Sequence, residues 1–355
     1  MKVELLTHDR EDEYDKFLKS REDSLFNASL IHRDFIRTLC PNALPYYFTA
    51  INDQNKIVGV LPSFILKGKI GPVLNSLPWY GSNPGVVADS QEAFYMLLQA
   101  FDNTARWTGC FSSTIISPPN QDQDNYEYYF NAQNVFCDDR NGLITKLPKF
   151  NDHQQFASDL LKKIHQKTRN QIIKATQNCQ VYESYGNDDW QFLINTHREN
   201  MNSVGGVPKK NEFDIIKNHF KKGDDYRLYV AFTDDGKAER CGALLVEYFN
   251  KTVEYIVPAV KLEHRALNPM NILIFSAMGD AAQKGYKYWN WGGTKLPSQG
   301  GVYHFKKRFG ASESEYKYYT RVYGYLSFDV TQKWLRENYP YFYVLPYSLL
   351  DNDVD

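Results

Sequence analysis

The sequence predicts an α+β protein with mixed sheets, in which one folding unit is used twice. The first observation is an internal echo. YYFTAINDQNKIVGVLP in the first half and YRLYVAFTDDGKAERCGALLV in the second share the order strand, Asp-containing turn, strand. Each second strand also carries a glycine near its start, Gly59 and Gly242. Finally, two predicted helices precede each hairpin, and one helix and a further strand follow it. Such a duplication predicts a cleft between two similar lobes, a common place for a ligand.

The first lobe is predicted to cover residues 1–150. Apolar periodicity and turn residues divide it into short elements. These are helices over 12–19, 32–39, 91–106 and 125–130, strands over 46–51, 57–66 and 111–116, and a last strand over 135–138 or 143–147.

The second lobe is predicted to cover residues 151–325, and 326–355 form a tail that packs on the lobes. It begins with a long helix over 154–178, which contains neither glycine nor proline. The further predicted elements are helices over 188–201 and 211–221 and strands over 180–185, 226–233, 241–250, 252–260 and 315–323. The run 241–250 is almost continuously apolar, as expected for a central strand.

Composition excludes several classes of protein. The apolar content of 43% and charged content of 23% are ordinary for a globular protein. A net charge of −1 argues against a general nucleic-acid-binding protein and leaves room for a local basic groove, and no DNA partner is predicted. The five cysteines are scattered without metal-ligand spacing, so no metal site is predicted. The polar N-terminus is not a signal peptide, and no apolar run reaches the roughly 20 residues of a membrane span. We therefore expect a cytoplasmic protein.

The stretch 268–310 has the arrangement of a site that receives an anionic group. Asn268 and Pro269 can begin a helix, and Gly285 can end it in the left-handed conformation. An aromatic strand over 286–291 leads to the pair Gly292–Gly293. A basic cluster, HFKKR over 304–308, then follows within an aromatic frame.

Several segments together resemble the FemAB-like aminoacyl/acyl transferases. They are RNQIIKA (169–175), NPMNIL (268–273), WNWGGT (289–294), FKKRFG (305–310), GVLPSFIL (59–66) and LPWYGSNPGVVADS (77–90). The resemblance extends from about residue 46 to residue 323 and implies two GNAT-like acyltransferase lobes. It also implies transfer of an amino acid from aminoacyl-tRNA to a peptidoglycan precursor, or a related acyl transfer in polysaccharide biosynthesis.

The chain departs from these relatives in two places. It has no long heptad insertion of the kind that forms a tRNA-binding arm in many peptidoglycan-bridge enzymes. The turn KLEHRALN (261–268), where GNAT enzymes place a glycine-rich phosphate loop, contains no glycine. The side chains of Lys261, His264 and Arg265 can still hold a phosphate. Arg265 and Asn268 are the predicted donor-binding residues. We expect no tightly bound cofactor, and the acyl donor stays open between aminoacyl-tRNA and acyl-CoA.

The resemblance implies that Lys306, the lysine of the FK motif, handles the acceptor or stabilises charge at the reacting carbonyl; the alternative is a solvated lysine. His304, Glu254 and Glu247 are candidates for the general base, and His304 and Glu254 are predicted to be catalytic with Lys306. The predicted substrate-binding residues are Trp79, Tyr80, Asn83, Arg169, Asn170, Asn290, Trp291, Gly292 and Arg308. A basic stripe (Lys163, Lys167, Asn170 and Lys174) is predicted on the helix over 154–178.

The sequence thus predicts an N-acyl or aminoacyl transferase that moves an activated acyl group onto an amine of a cell-envelope precursor. The acceptor would be a small molecule or a lipid- or nucleotide-linked sugar or peptide, and aminoacyl-tRNA is one of the two donors considered. Two alternatives stay open. One is an acetyl-CoA-dependent N-acetyltransferase on an amino sugar, and the other is an inactive carbohydrate- or peptide-binding module. The oligomeric state is not predicted.

Overall fold

A computed structural model describes residues 1–78, 83–119, 121–131, 135–206, 211–294, 300–326, 330–346 and 350. The chain forms two compact units. Unit 1 contains Met1–Asn141 and Ser314–Asp355, and unit 2 contains Gly142–Glu313. The predicted boundary near residue 325 thus falls at 313 instead, because the strand Ser312–Val322 pairs with Ser112–Ile116 of unit 1. No helix in the described ranges is long and apolar enough to cross a membrane.

Unit 1 combines two sets of paired strands with helices packed on them. Its elements before the boundary are β1 (Lys2–Leu5), α1 (Glu11–Ser20), α2 (Leu30–Leu39), β2 (Ala43–Pro45), β3 (Phe48–Ile51), β4 (Ile57–Leu61), β5 (Phe64–Gly68), β6 (Gly71–Asn75), β7 (Val87–Ala88), α3 (Gln91–Trp107), β8 (Ser112–Ile116) and α4 (Asp124–Asn131). Strands β1, β3, β4 and β7 pair antiparallel in that order. Strands β2, β5 and β6 are also antiparallel, and β6 pairs parallel with β8. Helix α3 packs on β3 and β4 over the apolar core of this unit.

The single strand predicted over 57–66 is wrong, since the chain forms β4 and β5 there. Pro62 separates them, and proline cannot donate a hydrogen bond to a strand ladder. The two strands then pair with different neighbours, β4 with β3 and β5 with β6. Strand β6 lies in a Gly- and Pro-rich passage for which the pattern predicts no strand.

Unit 2 is a sheet of mostly antiparallel strands with helices packed on it. The strand β9 (Phe136–Lys146) leads into unit 2. The elements of unit 2 are then α5 (His153–Lys163), α6 (Gln166–Thr176), β10 (Cys179–Glu183), α7 (Asn187–Asn202), α8 (Glu212–His219), β11 (Tyr226–Thr233), β12 (Arg240–Phe249), β13 (Thr252–Val260), α9 (Pro269–Gln283), β14 (Tyr288–Thr294) and α10 (Gly301–Lys307). The last elements of the chain are β15 (Ser312–Val322) and α11 (Gln332–Asn338). Strands β10 to β13 pair antiparallel, and β13 pairs parallel with β14. Helix α9 packs on β10 to β13.

The long helix predicted over 154–178 is also wrong, because it breaks into α5 and α6 at Ile164 and His165. Ile164 adopts extended dihedral angles (φ −80°, ψ 139°), and its side chain is buried in the core. The His165 side chain accepts a hydrogen bond from the Lys167 N–H and so begins α6. The His165 N–H donates to the Arg308 carbonyl at 2.9 Å. This partner is distant in sequence, so no local pattern indicates the break.

The internal echo is confirmed by the packing of two glycines. A Cβ atom added to Gly59 would lie 3.0 Å from Leu97 Cδ1 on α3. A Cβ atom added to Gly242 would lie 3.1 Å from Leu273 Cδ1 on α9. In each unit, the helix after the hairpin therefore packs closely on the glycine of the second strand. The predicted α+β class with mixed sheets is confirmed as well.

Helix α9 begins and ends at the predicted residues. Asn268 precedes Pro269 but does not cap the helix with its side chain, because it has a left-handed backbone (φ 56°) and its Nδ2 donates to the Ala266 carbonyl. At the other end Gly285 has φ 85°. The Gly285 N–H donates to Ala282, and the Tyr286 N–H donates to Ala281. These two bonds form a Schellman motif.

We predict opposite effects for two glycine substitutions on this helix. Gly285→Ala places a side chain on a left-handed residue and should lower the free energy of unfolding by about 1 kcal/mol. Gly279→Ala is the matched control, because its Cβ would meet Phe156 at an ordinary 3.7 Å, so it should raise stability by roughly 0.5 kcal/mol. Urea unfolding of both variants tests this, and equal effects would contradict it.

Candidate active site

Lys306 is a buried lysine held by one backbone oxygen. Its side chain lies on α10, the residue is 8% exposed, and Nζ donates to the Trp291 carbonyl at 2.5 Å. Within the described ranges, no carboxylate forms an ion pair with it. Burial lowers the pKa of Lys306 from 10.5 to about 8, because the charged ammonium loses its hydration. The solvated alternative for Lys306 is therefore wrong.

Aromatic packing fixes α10 against β14, as the frame of aromatic residues predicts. The Trp291 ring centroid lies 5.3 Å from that of Phe309 and 6.4 Å from that of Phe305. The Trp291 Nε1–H donates to Thr145 Oγ1 at 2.9 Å, and the Thr145 hydroxyl donates to the Phe309 carbonyl at 3.3 Å. Thr145 is a residue that the sequence reasoning missed, since only its place at the same two-residue spacing as the apolar Leu143 and Leu147 marks it.

The peptide group between Trp291 and Gly292 is bonded at both ends. Its carbonyl oxygen accepts from Lys306, and its N–H donates to Asn290 Oδ1 at 3.0 Å. Asn290 Nδ2 in turn donates to Glu254 Oε1 at 3.2 Å. Gly292 has φ 72°, a conformation that favours glycine, and this shapes the turn that brings the two ends of the peptide to their partners.

Asn290 and Trp291 are 0% and 1% exposed, so burial argues against the predicted contact of either side chain with a substrate. Glu254 is also buried, and it is paired in register with Glu247 on β12 and Asn290 on β14. In each of the three strands, the residues before and after these polar residues pack in the apolar core of unit 2, so the polar side chains point to the opposite face of the sheet. Glu254 is thus buried within the sheet and accepts a hydrogen bond from the neighbouring strand.

His304 is not brought together with Lys306. Residues two positions apart on a helix point in different directions. His304 is accordingly exposed, whereas Lys306 is buried, and the His304 ring lies 5.2 Å from that of Tyr303. Arg308 is half-buried, and its carbonyl accepts a hydrogen bond from the His165 N–H, just before α6.

A basic groove lies along α6. It is a cavity of about 480 Å³ lined by His165, Gln166, Lys167, Asn170, Gln171 and Lys174. The predicted stripe is therefore confirmed only in part. Lys163 lies before the helix break, and its Nζ donates to the Lys146 carbonyl. Arg169 is half-buried on the same helix, and Gln171 Oε1 accepts from Asn271 Nδ2 of α9 at 3.2 Å, which ties the groove to α9.

The turn before α9 carries three basic side chains, and several of its backbone N–H groups are already bonded. Lys261 pairs with Glu263 at 3.3 Å, and His264 lies 3.5 Å from Glu239, whereas Arg265 is exposed. Pro269 has no N–H, and the Asn271 N–H already donates to the Asn268 carbonyl. The Asn268 side chain is also engaged locally.

In unit 1, the predicted acceptor loop is only partly described. Trp79 and Tyr80 lie outside the described residues. Asn83 is 5% exposed, and its Oδ1 accepts from Ser76 Oγ and from the Gly85 N–H, each at 3.1 Å. This internal bonding argues against the predicted contact of Asn83 with an acceptor.

Comparison with known proteins supports the resemblance. Residues 195–317 match the FemAB family model. The structure of FemX is similar with a TM-score of 0.72 at 14% identity, covering 89% of this chain and 97% of that chain. A tandem GNAT protein from the clavulanic acid biosynthesis pathway has a TM-score of 0.53 at 10% identity, with 92% and 100% covered. L-PGS from Bacillus licheniformis has a TM-score of 0.52 at 11% identity, with 89% and 93% covered. No curated protein matches. At these identities the similarity establishes the fold.

The buried lysine predicts a specific pH dependence of stability. The pKa of Lys306 is about 8 in the folded chain against an ordinary 10.5, so between these values the unfolded chain binds more protons. Rising pH therefore stabilises the folded protein through this window. Lys306→Met cannot titrate, and its stability relative to the parent chain should fall by roughly 3 kcal/mol between pH 7 and pH 10.5. Urea unfolding at several pH values measures this, and a constant difference would contradict it.

Proposed function

Since this chain is a FemAB-like protein with GNAT-like structural neighbours, we propose that it is an acyltransferase that moves an activated acyl group onto an amine. The acceptor would be a cell-envelope precursor, namely a lipid- or nucleotide-linked sugar or peptide. The amine attacks the acyl carbonyl directly, without a covalent enzyme intermediate. The C–N bond of the new amide forms as the bond to the donor's leaving group breaks, and the leaving group takes up the proton that the amine loses.

The observation that carries this proposal is the buried ammonium of Lys306. A lysine has three N–H donors, and the Trp291 carbonyl takes one of them. The other donors can bind the oxygen of a carbonyl that gains negative charge during the attack. A preorganised cation in a site poor in water stabilises such an oxyanion far more than a solvated lysine does.

The basic groove is the proposed site for an anionic acceptor. Lys167 and Lys174 lie on one side of α6, and the side-chain amides of Asn170 and Gln171 line the same cavity. This combination suits a phosphate-linked sugar, because ammonium groups bind the phosphate and amides bind hydroxyl or peptide groups. The half-buried Arg169 would support the same helix.

For the donor, we propose aminoacyl-tRNA over acetyl-CoA. The turn at 261–268 contains no glycine, the Lys261, His264 and Asn268 N–H groups donate to backbone carbonyls, and Pro269 has no N–H, so this helix N-terminus is poorly suited to hold a pyrophosphate. Arg265 is an exposed cation of this turn and would contact a donor phosphate by its side chain. Binding of acetyl-CoA with an affinity tighter than that of aminoacyl-tRNA would favour the N-acetyltransferase alternative instead. Binding of acceptors without turnover of any donor would favour the inactive binding module.

Lys306→Ala should reduce transfer by about 10²–10³-fold, the size seen when one oxyanion donor is removed. Lys307→Ala is the matched control, since Lys307 is exposed and pairs with Glu313 at 2.7 Å, and it should retain activity. Transfer is measured with labelled aminoacyl-tRNA and with acetyl-CoA against nucleotide-linked envelope precursors. Full activity of Lys306→Ala would overturn the assigned role.

Lys167→Gln and Lys174→Gln should raise the KM for a phosphate-linked acceptor with little change in kcat, because the groove binds ground state and transition state alike. The KM effect should diminish as salt screens the charge. Lys162→Gln is the control, because Lys162 lies on α5 and pairs with Asp159 at 2.8 Å. A KM that is unchanged in both groove variants would exclude the groove as the acceptor site.

A further inference from the structure

The Lys306 ammonium has a fixed position only if the Trp291 carbonyl that accepts its hydrogen bond is itself fixed. The Trp291 carbonyl belongs to a peptide that follows a fully buried asparagine and precedes a left-handed glycine. Rotation of this peptide plane would turn the carbonyl away from Nζ. A glycine at its C-terminal side offers little steric resistance to such rotation, and a Cβ added at Gly292 would meet nothing within 4 Å. Two hydrogen bonds, one at the N–H and one at the carbonyl, contribute to holding this plane within β14.

We propose that Asn290 and Glu254 are positioning residues for Lys306, an inference that rests on the proposed function of that lysine. Asn290 Oδ1 holds the N–H end of the Trp291–Gly292 peptide, while Lys306 occupies its carbonyl end. Glu254 holds the other end of the Asn290 amide and so decides which of its atoms faces Gly292. The three bonds measure 2.5, 3.0 and 3.2 Å and run from the ammonium to the carboxylate.

The orientation of the amide follows from chemistry. Glu254 Oε1 accepts from the NH₂ group of Asn290, which leaves the Asn290 oxygen for the Gly292 N–H. The Gly292 N–H is itself a donor, so it needs the oxygen of Asn290 and cannot bond to the NH₂ group. Each member of the series thus specifies the next, and the carbonyl that receives Lys306 is polarised by the bond on the N–H side of the same peptide.

This assignment differs from the roles that the sequence indicates for the two residues. Asn290 is 0% exposed and Glu254 is 4% exposed, so neither is placed to touch an acceptor. Their register across β13 and β14 places them side by side in the sheet interior. They act on Lys306 through the Trp291–Gly292 peptide, by a series of three contacts that crosses β13, β14 and α10.

The test is a double-mutant cycle in the full-length protein. Asn290→Ala should lower kcat by about tenfold to a hundredfold with KM little changed, because Lys306 is displaced. In the Lys306→Ala background, the same substitution should cost nothing further. A merely structural role would slow both backgrounds equally, and that result would overturn the proposal. Asn200→Ala is the matched control, since Asn200 makes two bonds of 2.9 Å to Val260 in the same unit, and it should leave kcat unchanged.

An exchange of donor and acceptor tests the hydrogen bond itself. Asn290→Asp keeps an oxygen for the Gly292 N–H but faces Glu254 with a second carboxylate, so it should be as slow as Asn290→Ala. Adding Glu254→Gln to this variant supplies an NH₂ group that donates to the second oxygen of the new carboxylate, and it should restore most of kcat. Failure of the double variant to recover, while it remains as stable as Asn200→Ala, would contradict the proposed series of bonds.

A measurement on Lys306 separates this inference from the proposed function. In ¹⁵N-lysine spectra, the ammonium signal that is lost in Lys306→Arg should be protected from exchange in the parent chain. It should exchange at least about tenfold faster in Asn290→Ala but not in Asn200→Ala. Should Lys306→Ala prove fully active, the proposed function fails, yet this signal still decides whether Asn290 holds the lysine. Unchanged exchange in Asn290→Ala would overturn the positioning role even where transfer depends on Lys306.

Discussion

The proposed site in unit 2 depends on one interaction, the hydrogen bond between the Lys306 ammonium and the Trp291 carbonyl. Burial deprives this cation of hydration, which appears as the lowered pKa of Lys306. Such a group persists only where its surroundings are well fixed. Trp291 fixes the lysine in two ways. Its carbonyl accepts from the ammonium, and its ring packs on Phe305 of α10 and on Phe309 just after it.

The supporting structure comes from elements that are distant in the chain. Thr145, at the start of unit 2, links the Trp291 indole to the Phe309 carbonyl. The His165 N–H donates to the Arg308 carbonyl just after α10. This bond joins the beginning of α6, which lines the groove, to the end of α10, which carries Lys306. The proposed acceptor groove and the proposed charge-stabilising lysine therefore share one support within unit 2.

The two units share one packing feature, but the proposed site belongs to unit 2. In both units a helix packs on the glycine of a central strand, Gly59 under α3 and Gly242 under α9. The FemAB match covers residues 195–317, which include Glu254, Asn290 and Lys306 but not the groove helix α6. The buried series of bonds thus lies wholly within the matched segment, and the basic groove lies outside it.

Local chemistry in the sequence determined the order of elements, the α+β class and several boundaries. Strands β11 and β13 begin and end at the predicted residues, and Gly285 ends α9, because alternation and a left-handed glycine act within a few positions. Tertiary structure decided the break at His165, the division at Pro62 into strands of different sheets, and the burial of Asn290 and Lys306. The physical reason is that burial and hydrogen bonds such as Lys306 to Trp291, or His165 to Arg308, join residues far apart in the chain. The sequence identifies the lysine, and only the folded chain shows what holds it.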